Sequence, residues 1–269
     1  MADQPLAGKR VVITRTPDQA RELTRMLESL GAEVLALPMV EFAPPESWTR
    51  VDEALRALSG FEAILFLSTN AVRYIFARCR ELGITCEALQ SPNCLIAAVG
   101  PGTARAIEDQ GFHVTYIAKD QGGQALAREM AGSLAGRSVL LPRSNRGDDR
   151  IGNALRESGA RVTEVVAYRT IVPKSFDPAV LDRLSRGEAD VVVFASPSAF
   201  HNLVDTLGEM QFTALSNHLQ FATIGPTTAR ALRDAGVTVA MEAQESSAAA
   251  ISDSIAKFFQ RRHIAARPA

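Results

Sequence analysis

Few residues in this 269-residue chain are suited to holding metals or forming disulfides. Cys79, Cys86 and Cys94 all fall in the first half, have no counterparts in the second, and sit at spacings that match no zinc or dithiol pattern; they read as buried or half-buried free thiols. The four histidines, His113, His201, His218 and His263, are scattered without paired spacing, which argues against a metal site. Lys and Arg (29) balance Asp and Glu (30), so the net charge is −1 and no global field draws the chain to nucleic acid or a membrane surface. Any anionic ligand has to be held by a local site. No apolar run approaches the roughly 18 residues of a membrane span, and Met1 to Arg10 leads into no long apolar stretch, so the expectation is an unsecreted, cytoplasmic protein. A P-loop, a G-x-S-x-G elbow and an H-E-x-x-H motif are all missing. Gly100–Pro101–Gly102 superficially opens a dinucleotide fingerprint, but Arg105 holds the third glycine position, Pro101 removes a backbone donor, and Thr227 replaces the second glycine in a later echo of the motif. No cofactor is expected.

What the chain does contain is a near-repetition of itself. Val11–Val12–Ile13–Thr14–Arg15 returns as Val139–Leu140–Leu141–Pro142–Arg143, Leu30–Gly31–Ala32 as Ser158–Gly159–Ala160, and Leu67–Ser68–Thr69–Asn70–Ala71 as Ala195–Ser196–Pro197–Ser198–Ala199, each 128 residues later. Val99–Gly100–Pro101–Gly102–Thr103 then returns as Ile224–Gly225–Pro226–Thr227–Thr228 at an offset of 125. Such a period exceeds a solenoid unit of about 20–50 residues and implies two copies of a domain.

Short apolar runs alternate with helical patterns, the signature of βα units around a parallel sheet. Strands are predicted at residues 10–14, 33–37, 63–67, 95–99, 113–117, 138–141, 161–168, 191–195, 220–224 and 238–241. Ala20, Leu23, Leu27 and Leu30 share one helical face, as do Ala154, Leu155 and Ser158, and Gly31 and Gly159 suit the position that ends each helix. Two stretches, Pro38–Pro45 and Tyr168–Pro173, are extended by composition, occupy equivalent places in the copies and read as linkers. The expected architecture is α/β, with two similar lobes, each a parallel sheet flanked by helices, joined by a two-stranded linker. Residues 1–37 plus 173–269 form one lobe, 40–168 the other, and 38–39 and 169–172 link them. The tail Gln260–Ala269 is expected to fray.

The informative motifs fall at predicted strand C-termini just before helices, where open α/β sheets bind ligands. They supply the candidates Ser68, Thr69 and Asn70; Gly100 and Thr103; Ser196, Pro197 and Ser198; and Gly225, Thr227 and Thr228. A free helix N-terminus attracts an anion by about 0.3–1 kcal/mol, so four could grip a polyanion, although Ser, Thr and Asn are also ordinary N-caps. Thr103 and Thr228 are read as ligand contacts or plain caps. Arg15, Arg143, Arg146 and Arg150 follow the first strand of each copy; Arg15 and Arg150 are taken as candidates for carboxylate binding.

Together the V-I-T-R strand ending at Arg15, Ser68–Val72, Ala98–Ala104, Ala167–Tyr168–Arg169–Thr170, Phe194–Ala199 and Ile224–Ala229 resemble the uroporphyrinogen-III synthase family, in order and spacing, over nearly the whole chain. The resemblance implies two α/β lobes joined by paired linker strands, with substrate in the cleft between them, and a monomeric, cofactor-free lyase acting on hydroxymethylbilane. That linear tetrapyrrole is cyclised with inversion of ring D and loss of water. The resemblance also implies that Tyr168 donates a hydrogen bond near the departing hydroxyl; without it, the ring would be read as strand-end packing. The rival reading is a non-enzymatic, two-lobed binder or sensor for an anionic ligand, closing as periplasmic-type binding proteins do. The lack of a leader and of any effector segment weighs against it.

Overall fold

The computed structural model describes residues 4–265 apart from 92, 121 and 175. In chain order the elements are β1 (Arg10–Ile13), α1 (Pro17–Ser29), β2 (Glu33–Ala36), β3 (Glu41–Ala43), α2 (Thr49–Arg56), β4 (Ala63–Phe66), α3 (Thr69–Glu81), β5 (Leu95–Ala98), α4 (Pro101–Glu108) and β6 (Tyr116–Ile117). They continue as α5 (Gly123–Leu134), β7 (Ser138–Ser144), α6 (Asp149–Glu157), β8 (Arg161–Ile171), α7 (Pro178–Ser185), β9 (Val191–Phe194), α8 (Pro197–Leu207), α9 (Glu209–Ser216), β10 (Gln220–Thr223), α10 (Pro226–Asp234), β11 (Met241–Glu242) and α11 (Ala248–Ala265).

The chain divides into two compact units, Met1–Glu41 with Ile171–Ala269, and Phe42–Thr170. The first unit holds a parallel sheet of order β11-β10-β9-β1-β2. The second sheet runs β3-β8-β7-β4-β5-β6 and is parallel from β8 to β6. The sequence repeat relates β1 to β7, β2 to β8, β4 to β9, β5 to β10 and β6 to β11, so the two orders are the same apart from the added β3. Apart from β3, each sheet draws two strands from one copy and three from the other.

Period-2 alternation gives each strand two apolar faces, as a sheet covered on both sides requires. In the second unit Ile64, Phe66, Ile96, Ala98 and Leu140 meet Val51 and Leu55 of α2, Val72, Ile75 and Phe76 of α3, and Ile107 of α4. Ala63, Leu65, Ala97, Val139 and Leu141 face the other way, onto Leu126, Met130 and Leu134 of α5 and Ile151 and Leu155 of α6. In the first unit Val11, Ile13, Val191, Val193 and Ala222 pack on Leu23 and Leu27 of α1 and Ile251, Ile255 and Phe259 of α11. Its opposite face is aromatic: Phe194 meets Phe200 of α8 edge-on at 5.6 Å, and Phe221 stacks on Phe212 of α9 at 5.6 Å. The three cysteines are buried in the core of the second unit as free thiols. Burial pushes the Cys94 thiol up, away from the reactive thiolate.

Gly31 and Gly159 sit at φ +94° and +92°. Each lies one residue past the helix cap, with paired bonds back to the last turn (Gly31 N to Glu28 O and Ala32 N to Leu27 O; Gly159 N to Arg156 O and Ala160 N to Leu155 O).

Several expected boundaries differ. β6 covers only Tyr116–Ile117 instead of 113–117, because the Ile96 N–H bonds to the Thr115 hydroxyl at 3.1 Å and the strand ladder begins only after that side chain. β11 is shorter and later, at Met241–Glu242 instead of 238–241. Residues Arg169–Ile171, read as linker, continue β8 as strand, with β3 beside it. Met39, also read as linker, is fully buried, and the Asn202 side-chain amide donates to its carbonyl at 2.6 Å. Gln260–Ala265, the described part of the tail expected to fray, continues α11 as helix, and the remaining tail residues lie outside the described ones.

Candidate active site

Because the strands in each sheet are parallel, their C-terminal ends lie along one edge, where the sequence motifs gather. In the second unit that edge carries Ser68 after β4, Gly100 after β5, Ser144 at the end of β7 and Tyr168 near the end of β8. β7 pairs with β4 through Leu140; Pro142, two residues on, has no N–H with which to extend a ladder. β7 keeps its pairing with β8 to the end, but the register breaks: Arg143 faces Val166, whereas Ser144 faces Tyr168, leaving Ala167 as the extra residue of a β-bulge.

The bulge decides where Tyr168 points. Val165 and Ala167 are buried on one face while Val166 is exposed, so strict alternation would send Tyr168 outward with Val166. Instead Tyr168 is only 7% exposed and joins Val165 and Ala167 in the same core cluster. Its ring stacks on Tyr74 of α3 at 5.7 Å and 12° and meets Phe42 edge-on at 5.8 Å. Its hydroxyl oxygen lies 3.0 Å from Ser68 Oγ. Burial pushes the phenol above its ordinary value, and hydrogen bonds with Ser68 and Ser144 work against that rise.

Ser68 also caps α3, accepting the Ala71 N–H at 3.1 Å, and Ser196 caps α8 in the same way from Ala199 at 3.2 Å. Thr69 is exposed at the first turn of α3, and Asn70 is half-buried. Pro197 and Ser198 are half-buried at the start of α8. Gly100 and Gly225 are the caps of α4 and α10, each with extended backbone (φ 176° and −172°) and no side chain over the helix end. A β-carbon at Gly100 would enter open space, whereas one at Gly225 would come within 3.0 Å of Ser246 Oγ.

Thr103 and Thr228 are therefore not caps. They are the third residues of α4 and α10 and are 5% and 4% exposed, turned inward because that position begins the buried face with Ala104 and Ala229. Thr227 is exposed. The burial of Thr228 changes what a substitution there reports. Thr228→Leu should overpack the site and lower the melting midpoint, at a cost of about 1–3 kcal/mol. Thr228→Val keeps the shape, so thermal denaturation beside a substrate titration of the valine variant separates a hydroxyl that meets ligand from one that only packs. If only the midpoint moves, the hydroxyl is structural.

Two of the arginines are committed elsewhere. Arg143 pairs with Glu164 and Asp149, both at 2.5 Å, and donates to the Gly147 carbonyl at 2.6 Å, tying down the loop after β7. Arg150 is exposed and held by Asp148 at 2.9 Å, an interaction that lowers the Asp148 carboxyl to about 2. Arg146 is exposed. Arg15 is different. It lies two residues past the end of β1, which neighbours β9 in the sheet, and so on the same edge of the first unit as the starts of α8 and α10. It is half-buried, and among the described residues its Nε is a buried donor without a hydrogen-bond partner. Burial pushes its guanidinium down from its ordinary value, against the opposing charge of Glu22; an arginine remains charged even so.

Ser144 and Tyr74 were not legible as site residues. The bulge that brings Ser144 opposite Tyr168 leaves no mark in composition or periodicity, and Tyr74 reads as one more helix residue. Among the described residues no group of three or more His, Cys, Asp or Glu could hold a metal, and no helix is long and apolar enough to cross a membrane.

A family model for uroporphyrinogen-III synthase HemD matches residues 21–253. A uroporphyrinogen-III synthase of Synechococcus elongatus is 30% identical over 249 residues, 91% of this chain and 93% of that protein. A putative uroporphyrinogen-III synthase of Methanothermobacter thermautotrophicus is 29% identical, with 85% and 90% covered. Among solved structures, a mutant uroporphyrinogen III synthase of Thermus thermophilus superposes with a TM-score of 0.69 at 20% identity, over 94% of this chain and all of the other, which is a likeness of fold.

Proposed function

The chain belongs to the uroporphyrinogen-III synthase family, a cyclising enzyme of tetrapyrrole biosynthesis, and we propose that it closes hydroxymethylbilane with Tyr168 as the proton donor. The observation that carries this reading is a buried phenol, packed between Tyr74 and Phe42, whose oxygen is hydrogen-bonded at a strand C-terminus. A phenol with an ordinary pKa of about 10, here raised by burial, keeps its proton at neutral pH and can give it to a leaving oxygen.

The hydroxymethyl C–O bond breaks, a pyrrole nitrogen supplies the electron pair, and the oxygen leaves as water with the phenol's proton. The azafulvene so formed is attacked by the substituted carbon of ring D to give a spiro intermediate, which reopens and closes with that ring inverted. The proton lost on rearomatisation restores the phenol. Nothing is oxidised or reduced, so the balance calls for no cofactor. Because the azafulvene also closes unaided to the symmetric type I isomer, the protein's task is largely geometric, and holding a near-attack arrangement supplies several kcal/mol.

The substrate's carboxylates need donors. Each unit offers some of its own: in the first, the Arg15 Nε, unpartnered among the described residues, and the starts of α8 and α10; in the second, the starts of α3 and α4. The enzyme acts as a cytoplasmic monomer on a small molecule, with no part for nucleic acid or membrane. Freshly prepared hydroxymethylbilane incubated with the protein, with products oxidised and separated by isomer, should give predominantly type III. Type I alone, at the uncatalysed rate, would refute the proposal and return the chain to the class of ligand binders.

A further inference from the structure

We propose that Arg73 and Arg105 in the second unit, and His201 and Arg230 in the first, bind side-chain carboxylates of the substrate, one turn behind the helix starts on each sheet edge. This rests on hydroxymethylbilane being the substrate, and it adds basic side chains to a grip otherwise made of Arg15 and backbone donors.

The four residues hold the same place in four helices. Arg73 is the fifth residue of α3, Arg105 of α4, His201 of α8 and Arg230 of α10. The sequence repeat pairs them, Arg73 with His201 at an offset of 128 and Arg105 with Arg230 at 125. The third and fourth residues of each helix are buried, and the fifth is exposed in all four. Side chains on a helix lean toward its N-terminus, so a long one at the fifth place reaches back over the first turn, toward the C-terminal ends of the strands. Because β4 lies beside β5 and β9 beside β10, each unit brings two such helices together: α3 packs on α4, and α8 on α10.

Charge balance separates these helices from their neighbours. None of the four has an acidic residue in its first turn. Among the described residues, none of the four basic side chains is in an ion pair or a hydrogen bond. By contrast α1, which follows β1 on the same edge of the first unit, also carries an arginine in fifth place, but Asp18 in its first turn neutralises Arg21 at 3.1 Å. Its counterpart α6 is closed in a similar way by Asp148 and Arg150. A cation close to a helix N-terminus opposes the helix dipole, so one left there without a carboxylate is poorly placed for stability and well placed for an anion. The Arg73 guanidinium lies 5.1 Å from the centre of the Tyr74 ring, which in turn stacks on Tyr168. A guanidinium laid on an aromatic ring keeps its in-plane N–H groups for a carboxylate. His201 offers an N–H in either protonation state.

The test separates binding from chemistry. Arg105→Gln and Arg230→Gln should each raise KM for hydroxymethylbilane by about two- to fivefold, the range of exposed ion pairs, with kcat for the type III isomer little changed. Combined, they should multiply. Equilibrium binding of the product, uroporphyrinogen III, measured without oxygen, should weaken by the same factors. Arg105→Lys and Arg230→Lys keep the charge and should recover most of the affinity, and Arg73→Gln should resemble Arg105→Gln. Arg21→Gln, at the same helix place but with its own carboxylate, should leave KM and kcat as they are. The melting midpoints of the glutamine variants should hold or rise slightly, as a structural role would not allow. Unchanged KM and product affinity in the combined variant overturn the proposal, and so does an Arg21→Gln enzyme as impaired as Arg230→Gln, which would point to a general field. If wild type forms no type III isomer, the substrate reading has failed and these contacts fall with it; if wild type forms it and the variants do too at unchanged KM, the contacts alone are excluded.

Discussion

Tyr168→Phe should lower the rate of type III formation by about 10²- to 10⁴-fold, the usual worth of a positioned general acid. The substitution keeps the ring that stacks on Tyr74 and meets Phe42 edge-on, so the packing argument for structural damage is weak. One hydrogen bond to Ser68 is lost, worth about 0.5–1.5 kcal/mol, and the melting midpoint should fall only slightly. The isomer ratio is the sharper readout. Substrate that the variant fails to process closes spontaneously to type I, so the product should shift toward that isomer with some type III remaining from the helix N-termini and Arg15. A variant as fast as wild type would leave geometry alone to account for catalysis.

A fragment of residues 42–170 should fold cooperatively by itself, while residues 1–128 should not. The longer strands of the second unit and both of its core layers lie within 42–170, from Val51 of α2 to Tyr168 of β8. A fragment ending at residue 128 loses β7 and β8 from that sheet and leaves β1 and β2 without β9, so Val11, Val12 and Ile13 lose one side of their ladder. Circular dichroism melts and hydrogen exchange of the two fragments decide the matter. Comparable cooperative transitions in both would show that the units are not assembled from interleaved segments.

Much of the fold was legible because the signals involved are local. An apolar run such as Val191–Val192–Val193–Phe194 has no strand face to leave in water, and a glycine such as Gly31 or Gly159 marks a helix end by its positive φ. Internal repetition then related one half to the other. What escaped was decided by pairing. The start of β6 was set by the hydroxyl of Thr115, and the aim of Tyr168 by a bulge that depends on β7. Of the two readings open for Thr103 and Thr228, ligand contact or cap, the second fails because glycine occupies the cap and the threonines, three residues further on, face inward. Arg150 looked available until Asp148, two residues before it, proved to be its partner, while Arg15 kept an unpartnered donor.

The interleaving of the two copies also has a temporal side, since a chain emerges from the ribosome in one direction at about 5–20 residues per second. The first unit begins with β1 and β2, and β1 has no partner on its other side until β9, which ends at Phe194, has been made. For on the order of ten seconds the apolar strand Val11–Ile13 is therefore a nascent edge with no neighbour but β2, while the second unit is completed downstream of it. Slowing elongation within the second unit would lengthen that exposure, and holdase chaperones that shield short apolar edges would be expected to act for longest on the first forty residues.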